Sequence, residues 1–151
     1  MQETLKGFME SLTPLQAVLE HALSHSGYIE SGDISSLEYD PKDPEQAFIA
    51  DGLEKILYKL DMAYSDLMYL SRPIAEQGTL YKKENGRYQL GDTELTSGSC
   101  IEVLIYDEWQ ESRIWKYTRV EYNGEDYYLT AAPEQPLQGI EARIRERSRK
   151  I

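Results

Sequence analysis

Cysteine is almost missing from this 151-residue chain, and the single Cys100 cannot form an internal disulfide. No Cys-x-x-Cys or Cys/His cluster is present, so a structural zinc site of the usual kind is not encoded. Long apolar runs are missing too. No stretch approaches the roughly 20 residues needed to cross a bilayer, and Met-Gln-Glu-Thr-Leu-Lys-Gly lacks the basic start and apolar run of a signal peptide. These absences lead us to expect a cytoplasmic protein without a membrane segment. Basic charge is scarce as well, with 16 Lys/Arg against 27 Asp/Glu and a net charge of −11. Residues 1–77 hold 5 Lys/Arg against 14 Asp/Glu, whereas residues 136–151 hold 5 against 2. A nucleic-acid binder usually offers a wide basic face, because counterion release supplies much of its affinity. Here only the last dozen residues are basic, which disfavours DNA or RNA and leaves the C-terminal tail as its one possible footing.

Catalytic patterns are equally sparse. His21 and His25 stand four apart on a predicted helix, the spacing of a metal pair, but Ala22 occupies the place of the zincin general base and the chain has no third histidine. A zinc site needs at least three protein ligands, so these residues read as structural or surface groups and no metal or cofactor is expected. Cys100 opens a predicted strand, far along the chain from both histidines, with no neighbouring base to form a thiolate. No P-loop and no Gly-x-Ser-x-Gly occurs, and the pairs Asp107-Glu108 and Glu125-Asp126 fall in predicted turns. An enzyme is not expected.

What the chain does contain is a change of period. Leu5, Phe8, Leu12, Leu15, Leu19 and Ala22 step by three and four, with Thr13-Pro14-Leu15-Gln16 as a start signal inside the run. Helices are predicted near 3–11 and 14–26, ending at Gly27. A long polar connection follows over 27–43, expected as a surface loop anchored by Ile34 and Leu37. Asp43-Pro44-Glu45-Gln46 starts the next helix, which should run to Leu70 ahead of Arg72-Pro73. Its Ile49, Leu53, Ile56, Leu60, Ala63, Leu67 and Leu70 keep a heptad rhythm. Two such stripes predict an antiparallel helical hairpin over 1–77. Because two helices cannot bury both apolar faces alone, the hairpin should rest on the following region or on a second copy, giving a possible homodimer through the helices.

From residue 78 the period falls to two. Asn85-Gly86 and Asn123-Gly124 signal hairpins, Ile101, Val103 and Ile105 mark one buried strand face, a long run extends from Trp109 to Tyr122, and Leu137-Gln138-Gly139 reads as one helical turn before a last strand at Ala142–Arg145. Five or six short strands with tight turns predict a small antiparallel barrel over 78–151. The fold class expected is α+β, a helical hairpin followed by an SH3-like β-barrel with a basic tail.

Gly78-x-Leu80, Gly86-Arg87-Tyr88-x-Leu90, Thr96-Ser97-Gly98-x-x-Ile101-Glu102-Val103, Trp109, Val120-Glu121, Tyr127-Tyr128-Leu129 and Leu137-x-Gly139-x-x-Ala142-Arg143-Ile144-Arg145 fall in order. This pattern resembles a small-protein family of unknown function from Firmicutes-type bacteria. The resemblance covers about residues 78–145 and implies an SH3-like core, without bringing any catalytic residue or ligand.

Surface recognition is the work left to such a chain. If Ile114, Thr118 and Val120 face the core, Arg113, Trp115, Tyr117 and Arg119 point outward together, and Trp, Tyr and Arg are the types enriched in interface hot spots. The competing reading packs Trp115 and Tyr117 on the helices of the same chain. Arg143, Arg145, Arg147 and Arg149 alternate and read first as a solvated edge, second as a site for phosphate or an acidic partner. The function expected is a protein–protein interaction module; the alternative is a nucleic-acid-associated accessory protein using the basic C-terminus.

Overall fold

A computed structural model describes residues 2–147 and divides the chain into two compact units, Met1–Ser71 and Arg72–Ile151. It is an α+β protein, helices first and antiparallel sheets after. Arg149 and the rest of the basic tail beyond Arg147 lie outside the described residues.

The first unit holds α1 (Leu5–Ser11), α2 (Thr13–His25), α3 (Tyr28–Ser31) and α4 (Pro44–Ser71). Thr4 caps α1 by accepting the Gly7 N–H at 3.0 Å. Thr13 does not cap α2. It lies inside that helix, and Leu12 alone forms the joint. Gly27 ends α2 at φ 75°, where a side chain would be strained and would meet Ser36, and one turn of α3 follows that the polar composition of this stretch did not announce. Asp40 donates its N–H to Gln46 at 2.8 Å, and Ala47 bonds back to the Asp43 carbonyl, fixing the start of α4. Leu23, Tyr28, Ile34, Ala50 and Leu57 form a small core, with Leu37, Leu60 and Tyr64 packed against it. The heptad seam of α4 is therefore rotated from expectation. Ala50 and Leu57 are buried, whereas Ile49, Ile56 and Leu70 remain exposed.

The second unit contains β1 (Ile74–Thr79), β2 (Tyr81–Lys82), β3 (Tyr88–Leu90), β4 (Thr93–Glu94), β5 (Cys100–Asp107), β6 (Ser112–Tyr122), β7 (Tyr127–Leu129) and β8 (Glu141–Arg145). One sheet runs β1-β8-β5-β6-β7 and a smaller one β2-β3-β4, so no closed barrel is formed by the described strands. β1 begins four residues before Gly78 and pairs with β8 along Ile74–Thr79. Both sheets feed one core that includes Leu80, Leu90, Leu95, Val103, Val120 and Leu129. The two are also tied by Glu76, whose carboxylate accepts the Asp92 N–H at 2.8 Å and the Thr93 hydroxyl, holding that carboxyl below its usual range. Leu137–Gly139 makes a tight turn instead of a helical one, with Gly139 at φ 83°.

Candidate interaction surface

The β5–β6 hairpin sets the geometry. Its register pairs Cys100 with Arg119, Glu102 with Tyr117, Leu104 with Trp115 and Tyr106 with Arg113. Side chains directly opposite in an antiparallel pair share a face, and alternate residues point the same way. Thr118 and Val120 are buried on the other side. β8 adds Arg143 opposite Glu102, and Arg145 two residues on. Arg113, Trp115, Tyr117, Arg119, Arg143 and Arg145 thus lie on one face of the sheet.

Their roles differ. Glu102, with a side chain only 6% exposed, binds both β8 arginines: Arg143 Nε at 2.8 Å and Nη2 at 2.7 Å from Oε1, and Arg145 Nε at 2.5 Å from Oε2. Arg145 also donates to the Arg72 carbonyl at 2.8 Å. Arg143 stands over Trp115, its guanidinium carbon 4.2 Å from the ring centroid. The solvated edge expected of these two arginines is absent, since their side chains are 20% and 15% exposed. A buried carboxylate flanked by planar guanidinium groups explains why: each charge is desolvated only because the others stand beside it.

Around this centre the face opens. Arg113, Tyr117 and Arg119 are exposed, as is Tyr106 on β5. Arg119 Nε holds Glu121 at 2.7 Å, and the other oxygen of Glu121 accepts the Ser97 hydroxyl at 2.6 Å. The Tyr117 phenol is pushed above its ordinary value, first by its hydrogen bond with Cys100 and then by burial. Tyr106 and Arg113 also line a cleft of about 300 Å³ with Gln135, Gln138 and Glu141.

A family model described as Domain of unknown function (DUF5348) matches residues 78–114. That span runs from the end of β1 through β5 into the start of β6, so it covers Glu102, Tyr106 and Arg113 but not the β8 arginines. No curated protein and no solved structure matches the chain.

The tip of the hairpin departs from expectation. Trp109 does not begin a strand. It sits in the turn, 95% exposed, and Glu111 takes φ 50° there, a left-handed value unusual for a residue with a side chain. Next to the turn Lys116 forms an ion pair with Asp107 at 2.8 Å, which lowers the Asp107 carboxyl below its usual range. His21 and His25 stack 5.4 Å apart on α2, and among the described residues no group of three or more His, Cys, Asp or Glu is placed to hold a metal ion. No helix among the described residues is long and apolar enough to cross a membrane. Glu102 and Tyr106 escaped sequence reasoning. The available signal was an acid on the outer face of an apolar strand in a chain whose last strand alternates arginine.

Proposed function

We propose that the protein is a cytoplasmic, non-enzymatic interaction module. In this reading it is a helical hairpin followed by an SH3-like scaffold of the Firmicutes type, which docks a protein partner on the outer face of β5, β6 and β8. The observation that carries this reading is the grouping of exposed Tyr106, Arg113, Tyr117 and Arg119 around the paired Glu102, Arg143 and Arg145. Aromatic rings supply contact area at small entropic cost, and arginines bind carboxylates in a planar fork, so the partner should present acidic and apolar groups. The internal ion pairs fix the strands beneath the exposed side chains, which reduces what must be ordered on binding. The absence of catalysis is part of the same reading, in which the Cys100 thiol beside the Tyr117 phenol is a surface group.

Affinity capture from the native lysate tests the proposal. Tyr106→Ala with Arg113→Ala should abolish capture of a discrete partner, whereas Glu125→Ala in the distant β6–β7 turn should not. Equal capture by both variants, or loss with both, overturns it. Salt-dependent binding of DNA or RNA to the purified chain, lost on deleting residues 147–151, would instead favour the nucleic-acid alternative.

A further inference from the structure

We infer that the exposed stripe of α4 is a dimerisation face occupied by a second copy of this chain, with the two α4 helices antiparallel. Ile49, Ile56, Ala63 and Leu70 recur every seven residues and are all exposed, with Phe48 beside them. Residues seven apart fall on one line along a helix, the spacing of one core position of a helix seam. The first unit also continues the stripe beyond α4. Val18 directly precedes buried Leu19, as Ile49 precedes Ala50 and Ile56 precedes Leu57. Each exposed residue is thus turned by one residue step, in the same sense, from the buried one. The start of α2 lies against the end of α4, where Gln16 Nε2 donates to Ser71 Oγ at 2.9 Å. For helices running in opposite directions, equal rotations from the shared contact bring both stripes to one side of the pair.

The area agrees with a dimer. Five large side chains, half to three-quarters exposed and ~150–200 Å² each, offer roughly 450–600 Å² of apolar surface. A standard interface takes ~800 Å² per partner, about two-thirds of it apolar at the centre. Charge distinguishes the two orientations of a second copy. On the flank of the stripe Lys55, which pairs with Asp51 at 3.1 Å, precedes Ile56, and Asp66 follows Ala63. Antiparallel pairing brings Lys55 near the partner's Asp66 twice over, whereas parallel pairing stacks like on like. It also sets Ile56 against the partner's Ala63 and Ile49 against the partner's Leu70, so that a large residue meets the small one at the middle.

Sedimentation equilibrium of the full chain tests this. The wild type should sediment at twice its 17.4 kDa mass, and Ile49→Glu with Ile56→Glu should bring it to one. Circular dichroism checks that helix content survives, and the milder Ile56→Ala should weaken association several-fold if the double variant unfolds. A monomeric wild type, or a dimer indifferent to these substitutions, overturns the inference. Orientation is read by disulfide cross-linking in a Cys100→Ser background. Ile49→Cys and Leu70→Cys chains should cross-link when mixed and not alone; each cross-linking with itself would refute the antiparallel arrangement. Because this face and the sheet face lie in different units, the loss of one association leaves the other measurable.

Discussion

Replacing Glu102 with Gln tests whether the sheet face is held by its central charges. Glutamine keeps the shape but removes the carboxylate charge that Arg143 and Arg145 share, and the side chains of those arginines are 20% and 15% exposed. Removing one partner from a buried ion pair typically costs about 3–5 kcal/mol, because the remaining charge stays desolvated. For a unit of this size each kcal/mol lowers the melting temperature by about 4–8 °C, so a fall of about 12 °C or more is expected. Both tryptophans, Trp109 and Trp115, lie in the second unit, so intrinsic fluorescence during urea unfolding reports that unit alone. A companion variant separates charge from packing. Glu102→Leu combined with Arg143→Met and Arg145→Met should recover most of the loss, since an apolar triad needs no desolvated charges. A loss below about 1 kcal/mol in Glu102→Gln would refute this reasoning. So would a triple variant no more stable than Glu102→Leu alone.

Three further outcomes follow from local geometry. Glu111→Gly should raise the unfolding free energy by about 0.5–1 kcal/mol, seen as a higher urea midpoint at unchanged slope, because glycine relieves the positive φ at the hairpin tip; an unchanged or lower midpoint counts against strain there. Leu129→Ala, at a fully buried site, should cost about 2–5 kcal/mol, while Trp109→Ala should stay within about 0.5 kcal/mol, and similar effects of the two would contradict the placement of the core. Glu94 accepts from Arg87 at 2.7 Å and Lys83 at 2.9 Å, and its carboxyl is lowered from 4.5 to about 2. Between those values the unfolded chain binds a proton that the folded one does not, so the stability from this group is complete above about 4.5 and lost as pH falls through about 2. Acid titration of Glu94→Gln should be flatter than wild type across that window, and superimposable curves would exclude the effect.

Much of the architecture is legible in the chain because local signals are strong there. Pro44 and Arg72-Pro73 bracket α4, Gly27 stops α2 at a positive φ, and alternation at Ile101, Val103 and Ile105 defines the core face of β5. Other parts depend on contacts between distant residues. The heptad of α4 gives the right surface but not which side of it is buried, because Tyr28 and Ile34 decide that by packing on Ala50 and Leu57. β1 is missed since Ile74-Ala-Glu-Gln-Gly-Thr scarcely alternates, and its pairing with β8 spans most of the second unit. The turn at Trp109 lacks glycine and is imposed by the Asp107–Lys116 pair and the strained Glu111. On the candidate surface, alternation alone aligned Arg113, Trp115, Tyr117 and Arg119. That Glu102 would draw in Arg143 and Arg145 depends on the β5–β8 register, which no local pattern in either strand encodes.

The reading of the sheet stands or falls on whether the outer face of β5, β6 and β8 contacts a protein partner. Site-specific photocross-linking in native cells tests it most directly, with a photoreactive phenylalanine placed at Tyr106, Tyr117 or, as control, Glu125. One discrete cross-linked protein is expected from both tyrosine positions and none from Glu125. No adduct at either tyrosine, or the same adducts from all three, would contradict it.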